Sequence, residues 1–599
     1  MINERSAQTM PTKVSSQPNN RVQRRRELAR TLGLCATCCA RRPPAGKATC
    51  GPCRDAASLR VRRARVREQD RRRSITLGRD YEAAGDLAVE QYAYSDAASH
   101  FERATAQSQT TTDKARLCEK VAFALFYGPR PERARPWLER AFDIYAKHDE
   151  TVPEASRILL RLARQSWLES ETVQGLGRIR EARNLAGATN DRKVVARANL
   201  AIAHYLVLLG RYDEAQQHLR TLRISPLESP ETRAILFNQR AIVRAAQGDA
   251  RAAYADFEVA LRAAREISDG YLVTAIWDDY ANWATALGDI ASARVCRERA
   301  LLVARERQIA WRVPYLTLRY ASLLIVLGEY ARAREFVADA MTYDVDTPTL
   351  RVLLSIVGTE LGLAVSDGAL LEKVVDKDVL ELAFASGEPA RIGPIAAAFG
   401  KVYARRRMSS PLRTITSRAV RALESADHAG DILASSAAWG TPPDAERARK
   451  ILQRRAKAPS GKVAAAFLEA WKLLAARRRL GTRMVIEQAR TAAKAFADLG
   501  WHHQSAFVAG VSRVQLPAAA ATSPGTERDI LGDLQPSLTP RERQVAELVL
   551  RGYTNRAIAT VLSITEHTVE SHLSSIFNRL GLRSRWQLMD RVREEHSPG

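Results

Sequence analysis

The chain has 599 residues, 46% of them hydrophobic, with a formal charge of +25 and a pI near 10.1. That length exceeds what one core can serve, so several domains or an extended repeat array are expected, and the apolar content excludes global disorder. The charge points to a polyanion, nucleic acid before an acidic membrane surface, and seven cysteines are too few for a disulfide scaffold.

The charge is concentrated at the start. Residues 1–80 hold 20 Lys/Arg against 6 Asp/Glu, giving +14 of the +25. Residues 1–27 are Ser/Gln/Asn/Arg-rich and are expected to be disordered; they contain no apolar leader. With no apolar run of about 18 residues anywhere in the chain, no membrane span and a cytoplasmic location are expected.

Residues 28–75 are expected to form a small zinc-binding element followed by a basic helix. "LCATCCARRPPAGKATCGPC" carries Cys35-x2-Cys38 and Cys50-x2-Cys53 with eleven residues between the pairs. Four thiolates from two tight turns can surround one structural Zn²⁺, and the segment is too short to bury a core unaided. It is similar to a zinc ribbon or knuckle. A redox dithiol fits less well, because two pairs occur together without a βαβ context. Cys39 is left as a spare or supporting thiol. The arginines of "LRVRRARVREQDRRR" could contact phosphate, dock a protein, or form a solvated tail.

Residues 76–512 change to Ala, Leu and Arg at helical spacing, with few strand signals. The region repeats. "LGRYDEAQQHL", "QGDARAAYADFEVAL", "LGDIASARVCRERAL" and "LGEYARAREFVADAM" align on Gly210, Gly248, Gly288 and Gly328, spaced 38, 40 and 40 apart. Each Gly is followed at a fixed offset by Ala215, Ala253, Ala293 or Ala333. Ala97 and Ala134 stand in similar units, and a weaker one lies around "GLGRIREARNLA". A period near forty with a small residue at the helix crossing predicts two helices per unit. The Gly would end the first helix in a left-handed cap. These units resemble tetratricopeptide repeats, in the slightly longer form of large bacterial transcription regulators. The pattern blurs after about residue 345 and returns partly near residue 490. Cys118 and Cys296 fall inside these helices and read as small core residues.

Residues 513–536 are rich in Pro and Gly, lack periodicity, and read as a linker. Residues 537–599 then form a compact unit. Thr539-Pro540-Arg541-Glu542 is a helix start with a capping box, and "RERQVAELVLRG" is a helix closed by Gly552. "TNRAIATVL" is a short second helix and "SIT" a turn. Thr565 caps a third helix, "EHTVESHLSSIFNRL". At 100° steps Val569, Leu573, Ile576 and Leu580 share an apolar arc. His567, Ser571, Ser574 and Asn578 lie opposite, with Ser575 nearby and Thr568, Glu570 and His572 on the flanks.

An ordinary solvated face would explain such a helix in isolation. The flanking residues argue otherwise: Leu538 to Glu542, Gly552, Asn555, Ile558-Ala559, Thr568-Val569, His572, Leu580 and Ser584-Arg585 together resemble a LuxR-type helix-turn-helix. The resemblance covers about a tenth of the chain. It implies a DNA-facing set of Asn555, Arg556, Thr568, Val569, Glu570, Ser571, His572, Ser574, Ser575 and Asn578. Thr568 and His572 would touch phosphates, helped by Asn555 and Arg556, while Glu570, Ser571 and Ser574 would face base edges. Relatives often place Lys where Glu570 stands. Glu570 would either accept from cytosine N4 or pair with a nearby Arg.

The fold class expected is therefore all-α: an α-solenoid with a C-terminal helix-turn-helix domain and an N-terminal zinc-binding element. A bacterial transcription regulator is the expected function, with double-stranded DNA and RNA polymerase as partners, a dimer on two-fold-related DNA, and a protein, peptide or small effector at the repeats. The alternative is a repeat scaffold for protein assembly that holds nucleic acid nonspecifically. Regulators of this layout often begin with a P-loop ATPase, but no G-x4-G-K-[ST] occurs here, so no nucleotide cofactor and no enzymatic activity are expected.

Overall fold

The structure is a computed structural model. It describes residues 41, 47–147, 152–188, 192–222, 229–267, 270–423, 430–457, 461–476, 482–512, 538–550, 558–559, 562 and 564–581. The expected disordered tail, the thiols Cys35 and Cys38, and the 513–536 linker lie outside the described residues. Every element among the described residues is helical, and none is a strand. No helix among them is long and apolar enough to cross a membrane.

In chain order the helices begin with α1 Gly51–Glu90, α2 Tyr94–Gln107, α3 Thr111–Tyr127, α4 Ala134–Tyr145, α5 Val152–Leu168 and α6 Thr172–Ala188. They continue with α7 Arg192–Leu208, α8 Tyr212–Thr221, α9 Pro230–Ala246, α10 Ala250–Arg265, α11 Gly270–Leu287 and α12 Ile290–Glu306. Next come α13 Arg312–Val326, α14 Tyr330–Ala340, α15 Pro348–Ala364, α16 Gly368–Val374, α17 Lys377–Ala385 and α18 Pro389–Arg405. The solenoid closes with α19 Ser409–Ala422, α20 Gly430–Trp439, α21 Pro442–Ala456, α22 Lys462–Ala476, α23 Thr482–Ala497 and α24 His502–Ser512. The C-terminal unit adds α25 Pro540–Leu550 and α26 Glu566–Leu580.

The described residues divide into two compact units. One comprises those up to Ala83 together with Arg103–Gln109, the other Ala84–Glu102 and those from Thr110 onward. In the first, the basic stretch is helical as expected, and Leu59, Val61 and Val66 are exposed along α1. Ser74 Oγ donates to Gln107 Oε1 at 2.8 Å. The boundary expected at residues 75/76 falls inside α1, which runs on without a break.

The repeat signal of the second unit has a definite backbone basis. Gly210, Gly248, Gly288 and Gly328 have φ of 71°, 89°, 82° and 76°, the left-handed region that a side chain disfavours. At each, the next residue's N–H reaches back to the carbonyl five positions earlier, at 2.7–2.9 Å, closing the first helix of the pair. Asp249 and Asp289 then cap the second helix, accepting from Ala252 N and Ser292 N at 3.1 Å. Five residues after each Gly comes the expected Ala, and Ala215, Ala253, Ala293 and Ala333 are all fully buried.

The same turn recurs where no Gly marks it. Tyr92, Ser170, Ser366 and Arg407 have φ of 60°, 61°, 55° and 55°, with the same backward hydrogen bond. The repeats therefore continue through the region where the sequence pattern blurs. Three contiguous cores follow one another along the second unit: around Phe101 and Trp311, around Phe257 and Tyr320, and around Phe399 and Phe496.

Candidate nucleic-acid interface

The C-terminal unit is built around α26. Thr565 takes an extended conformation and its hydroxyl accepts from Thr568 N at 3.1 Å, so the helix begins where the sequence predicts. Gly581, at φ 66°, ends it. Val569, Leu573, Ile576 and Leu580 are buried with Leu538, Val545, Ala546, Val549, Ile558 and Ala559 in a single core.

α25 starts on the expected capping box. Glu542 N donates to Thr539 Oγ1 at 3.3 Å and Thr539 N donates to Glu542 Oε2 at 2.8 Å. Burial opposes ionisation of Glu542, but the Thr539 donors and the Arg579 guanidinium hold its carboxyl below the usual range. Arg579 Nε lies 3.3 Å from Glu542 Oε1 and ties the last turn of α26 to the first of α25. Arg541 Nη2 donates to Leu562 O at 2.6 Å, clamping α25 to the turn before α26. The sequence places Arg541 in the helix-start motif but reveals neither arginine's bracing role, which depends on partners 21 to 37 residues away.

The opposite face is open. His567, Glu570, Ser571, Ser574 and Asn578 are exposed, while Thr568, His572 and Ser575 are half-buried at its margins. Short side chains project here from a helix whose other side is fixed, the condition for entering a major groove. Ser574 Oγ donates back to Glu570 O at 3.0 Å, which keeps the hydroxyl close to the helix surface. Thr568 Oγ1 lies 2.8 Å from Thr565 Oγ1 at the amino end, where free backbone N–H groups favour a phosphate.

One member of the expected set is corrected. Val569 is completely buried in the domain core and cannot face DNA; its place beside Thr568 in the motif is a packing position. Asn555 and Arg556 lie outside the described residues. Of the two fates left open for Glu570, pairing with Arg does not occur among the described residues. Its nearest charge partner there is His567 Nδ1 at 3.9 Å.

Of the four proposed zinc ligands, Cys50 is buried immediately before the first residue of α1, and Cys53 is half-buried one turn on. Among the described residues no group of three or more His, Cys, Asp or Glu side chains is placed to hold a metal. Cys118 and Cys296 are buried in the repeat cores, as expected for small packing residues.

Residues 536–592 match the family described as bacterial regulatory proteins, luxR family. A Mycobacterium bovis protein named as an HTH-type transcriptional regulator, Mb0914c, is 45% identical over 62 residues, 10% of this chain and 7% of that one. The chain thus spans a small fraction of the length of the mycobacterial regulators it matches. The spore germination protein GerE of Bacillus subtilis is 43% identical over 53 residues, 9% of this chain and 72% of GerE. Among solved structures, a Rap protein complexed with competence and sporulation factor is similar over 60% of this chain and 97% of its own. The TM-score is 0.37 and the identity 12%, values at which the likeness does not extend to ligand or partner.

Proposed function

Because the chain belongs, through its C-terminal domain, to the LuxR family of bacterial regulatory proteins, we propose that the whole protein is a DNA-binding transcription regulator. In this reading α26 lies in the major groove of operator DNA, and the repeat region senses an effector that changes the state of that domain. The carrying observation is the exposed face of short polar side chains on a helix whose other face is fixed in a core.

Ser571 and Ser574 face base edges, and Glu570 accepts from cytosine N4. Thr568 and His572, with Asn555 and Arg556, hold phosphates and set the register. A dimer on a two-fold-related site, contact with RNA polymerase, and action at the bacterial chromosome in the cytoplasm belong to the same reading. Cys35, Cys38, Cys50 and Cys53 would hold one structural zinc. Zinc content of the purified protein before and after a chelator tests it.

Selection of bound sequences from a random DNA pool tests the main reading. The wild type should enrich one sequence, and Glu570→Lys should replace C by G at one position of each half-site, with discrimination changed by ~1–3 kcal/mol. Enrichment of nothing would instead favour the scaffold reading. An unchanged sequence preference in the variant would remove Glu570 from base readout.

A further inference from the structure

The interior of the solenoid contains a cavity of about 250 Å³ between α11–α13 on one side and α15, α18, α20, α22 and α24 on the other. That is room for roughly eight waters at ~30 Å³ each. Its two sides carry opposite charge.

On one side Asp278 is surrounded by Arg297, by Arg319 Nε at 3.5 Å and by Arg312 Nη2 at 4.0 Å; Asn282 also accepts from Arg297. Of this group Arg297 and Arg319 line the cavity, whereas Asp278 and Arg312 lie behind its lining. On the other side Lys401 Nζ lies 2.8 Å from Glu360 Oε2 and 3.4 Å from Asp431 Oδ2, an excess of one negative charge. His503 Nε2 stands 3.3 Å from Glu360, and its Nδ1 is 3.0 Å from the Tyr330 hydroxyl. Among the described residues no ion pair joins the two networks; Arg297 and Arg319 line the cavity on the first side, and Glu360 and Asp431 on the second.

Three of the lining residues also carry unpaired polar atoms. Arg297 Nε, Gln504 Oε1 and Trp501 Nε1 are buried without a hydrogen-bond partner, and all three residues line the cavity. Arg297 and Gln504 are 4% and 9% exposed. Buried donors and acceptors are ordinarily paired, so three unpaired ones leave the hydrogen bonding of the lining residues incomplete. Phe467 and the indole of Trp501 supply an apolar wall between the charged networks.

We propose that this cavity binds a small zwitterion with an apolar body, a free amino acid or a dipeptide. Its carboxylate lies on Arg297 and Arg319, its ammonium on Asp431 and Glu360, and its side chain on Phe467 and Trp501. The assignment deepens the reading of the repeats as a sensor, since an occupant would connect helices from the second and third cores.

Calorimetry and thermal unfolding of the full chain, without DNA, test this separately from operator selection. The probes are leucine, phenylalanine and tryptophan, their N-acetyl and carboxamide forms, and dipeptides of the same residues. At least one free zwitterion should release heat and raise Tm by a few °C at ~100-fold excess over Kd. Blocking either of its termini should weaken binding by at least ~10-fold, because one charged network then loses its partner. Response to the amino acids alone, or to the dipeptides alone, identifies the source. Asp431→Asn should weaken binding while leaving the selected DNA sequence unchanged, and Gln504→Ala, which removes a lining side chain, gives a second, uncharged check. Absence of heat and of any Tm change for every probe up to ~10 mM, or equal binding of the blocked forms, overturns the proposal.

Discussion

Asp278 and Asp279 are neighbours in sequence and opposites in ionisation. Burial works against the charge of both. At Asp278, Arg297, Arg319 and Arg312 outweigh it and hold the carboxyl below its usual range. At Asp279 burial prevails over the hydrogen bond donated by Asn238 Nδ2, 2.8 Å long, and over the more distant arginines, and its pKa is pushed up to about 6. A carboxyl with a raised folded pKa binds its proton more tightly in the fold, so stability falls as pH rises from about 4 to about 6 and stays lower above that. The difference is on the order of 2 kcal/mol, allowing for partial solvent access. Asp279→Asn keeps an oxygen for Asn238 and removes the charge. Its stability in denaturant should exceed wild type by about that amount at pH 7.5 and match it near pH 4. An equal gain at both pH values would show that packing, not ionisation, separates the two proteins.

At the scale of elements, the turn between paired helices decides how much of the solenoid can be read from sequence. Where Gly occupies it, at 210, 248, 288 and 328, the period is visible. Where Tyr92, Ser170, Ser366 or Arg407 takes the same backbone, the period is hidden although the turn is the same. The strain of a side chain at positive φ is absorbed by the packing around it, which no residue-type pattern records. Substitutions expose it from both directions. Gly248→Ala should destabilise the protein by about 1 kcal/mol, whereas Arg407→Gly should be neutral or stabilising by up to ~1 kcal/mol despite the greater freedom of its unfolded chain. Urea midpoints at constant slope give both values, and a loss on Arg407→Gly comparable to Gly248→Ala would mean that the Arg407 side chain itself holds the turn. α26 was legible for a complementary reason: cap, apolar arc and polar face all lie within sixteen residues; the arc placed Val569 inward correctly, and only the DNA-facing set implied by the resemblance put it on the wrong surface.

At the scale of the whole repeat region, an ideal solenoid joins each unit only to its neighbours. This one coils back on itself. Ala310 N donates to Tyr127 O at 3.1 Å, Arg130 Nη2 meets Asp344 Oδ2 at 2.7 Å, and Leu499 packs against Gly288. Arg391 is the densest of these junctions. Its guanidinium pairs with Glu388 at 2.8 Å, donates to Ser170 Oγ at 2.6 Å and Thr349 Oγ1 at 2.9 Å, and lies over the Trp167 ring. Thr172 at the start of α6 donates to the same Glu388, whose carboxyl burial raises. Contacts across some 220 residues leave no local pattern, which is why sequence reading recovered the units and not their coiling. Removing Arg391 leaves Glu388 buried without its cation, so Arg391→Met should cost ~3–5 kcal/mol, and adding Glu388→Leu should recover much of it. The test of coiling is where the damage appears. If the junction couples distant units, amide exchange in Arg391→Met accelerates at residues 166–172 as much as at 388–392. Acceleration confined to α15–α18 would return the repeat region to nearest-neighbour behaviour, with the long-range junction carrying no stability between its turns.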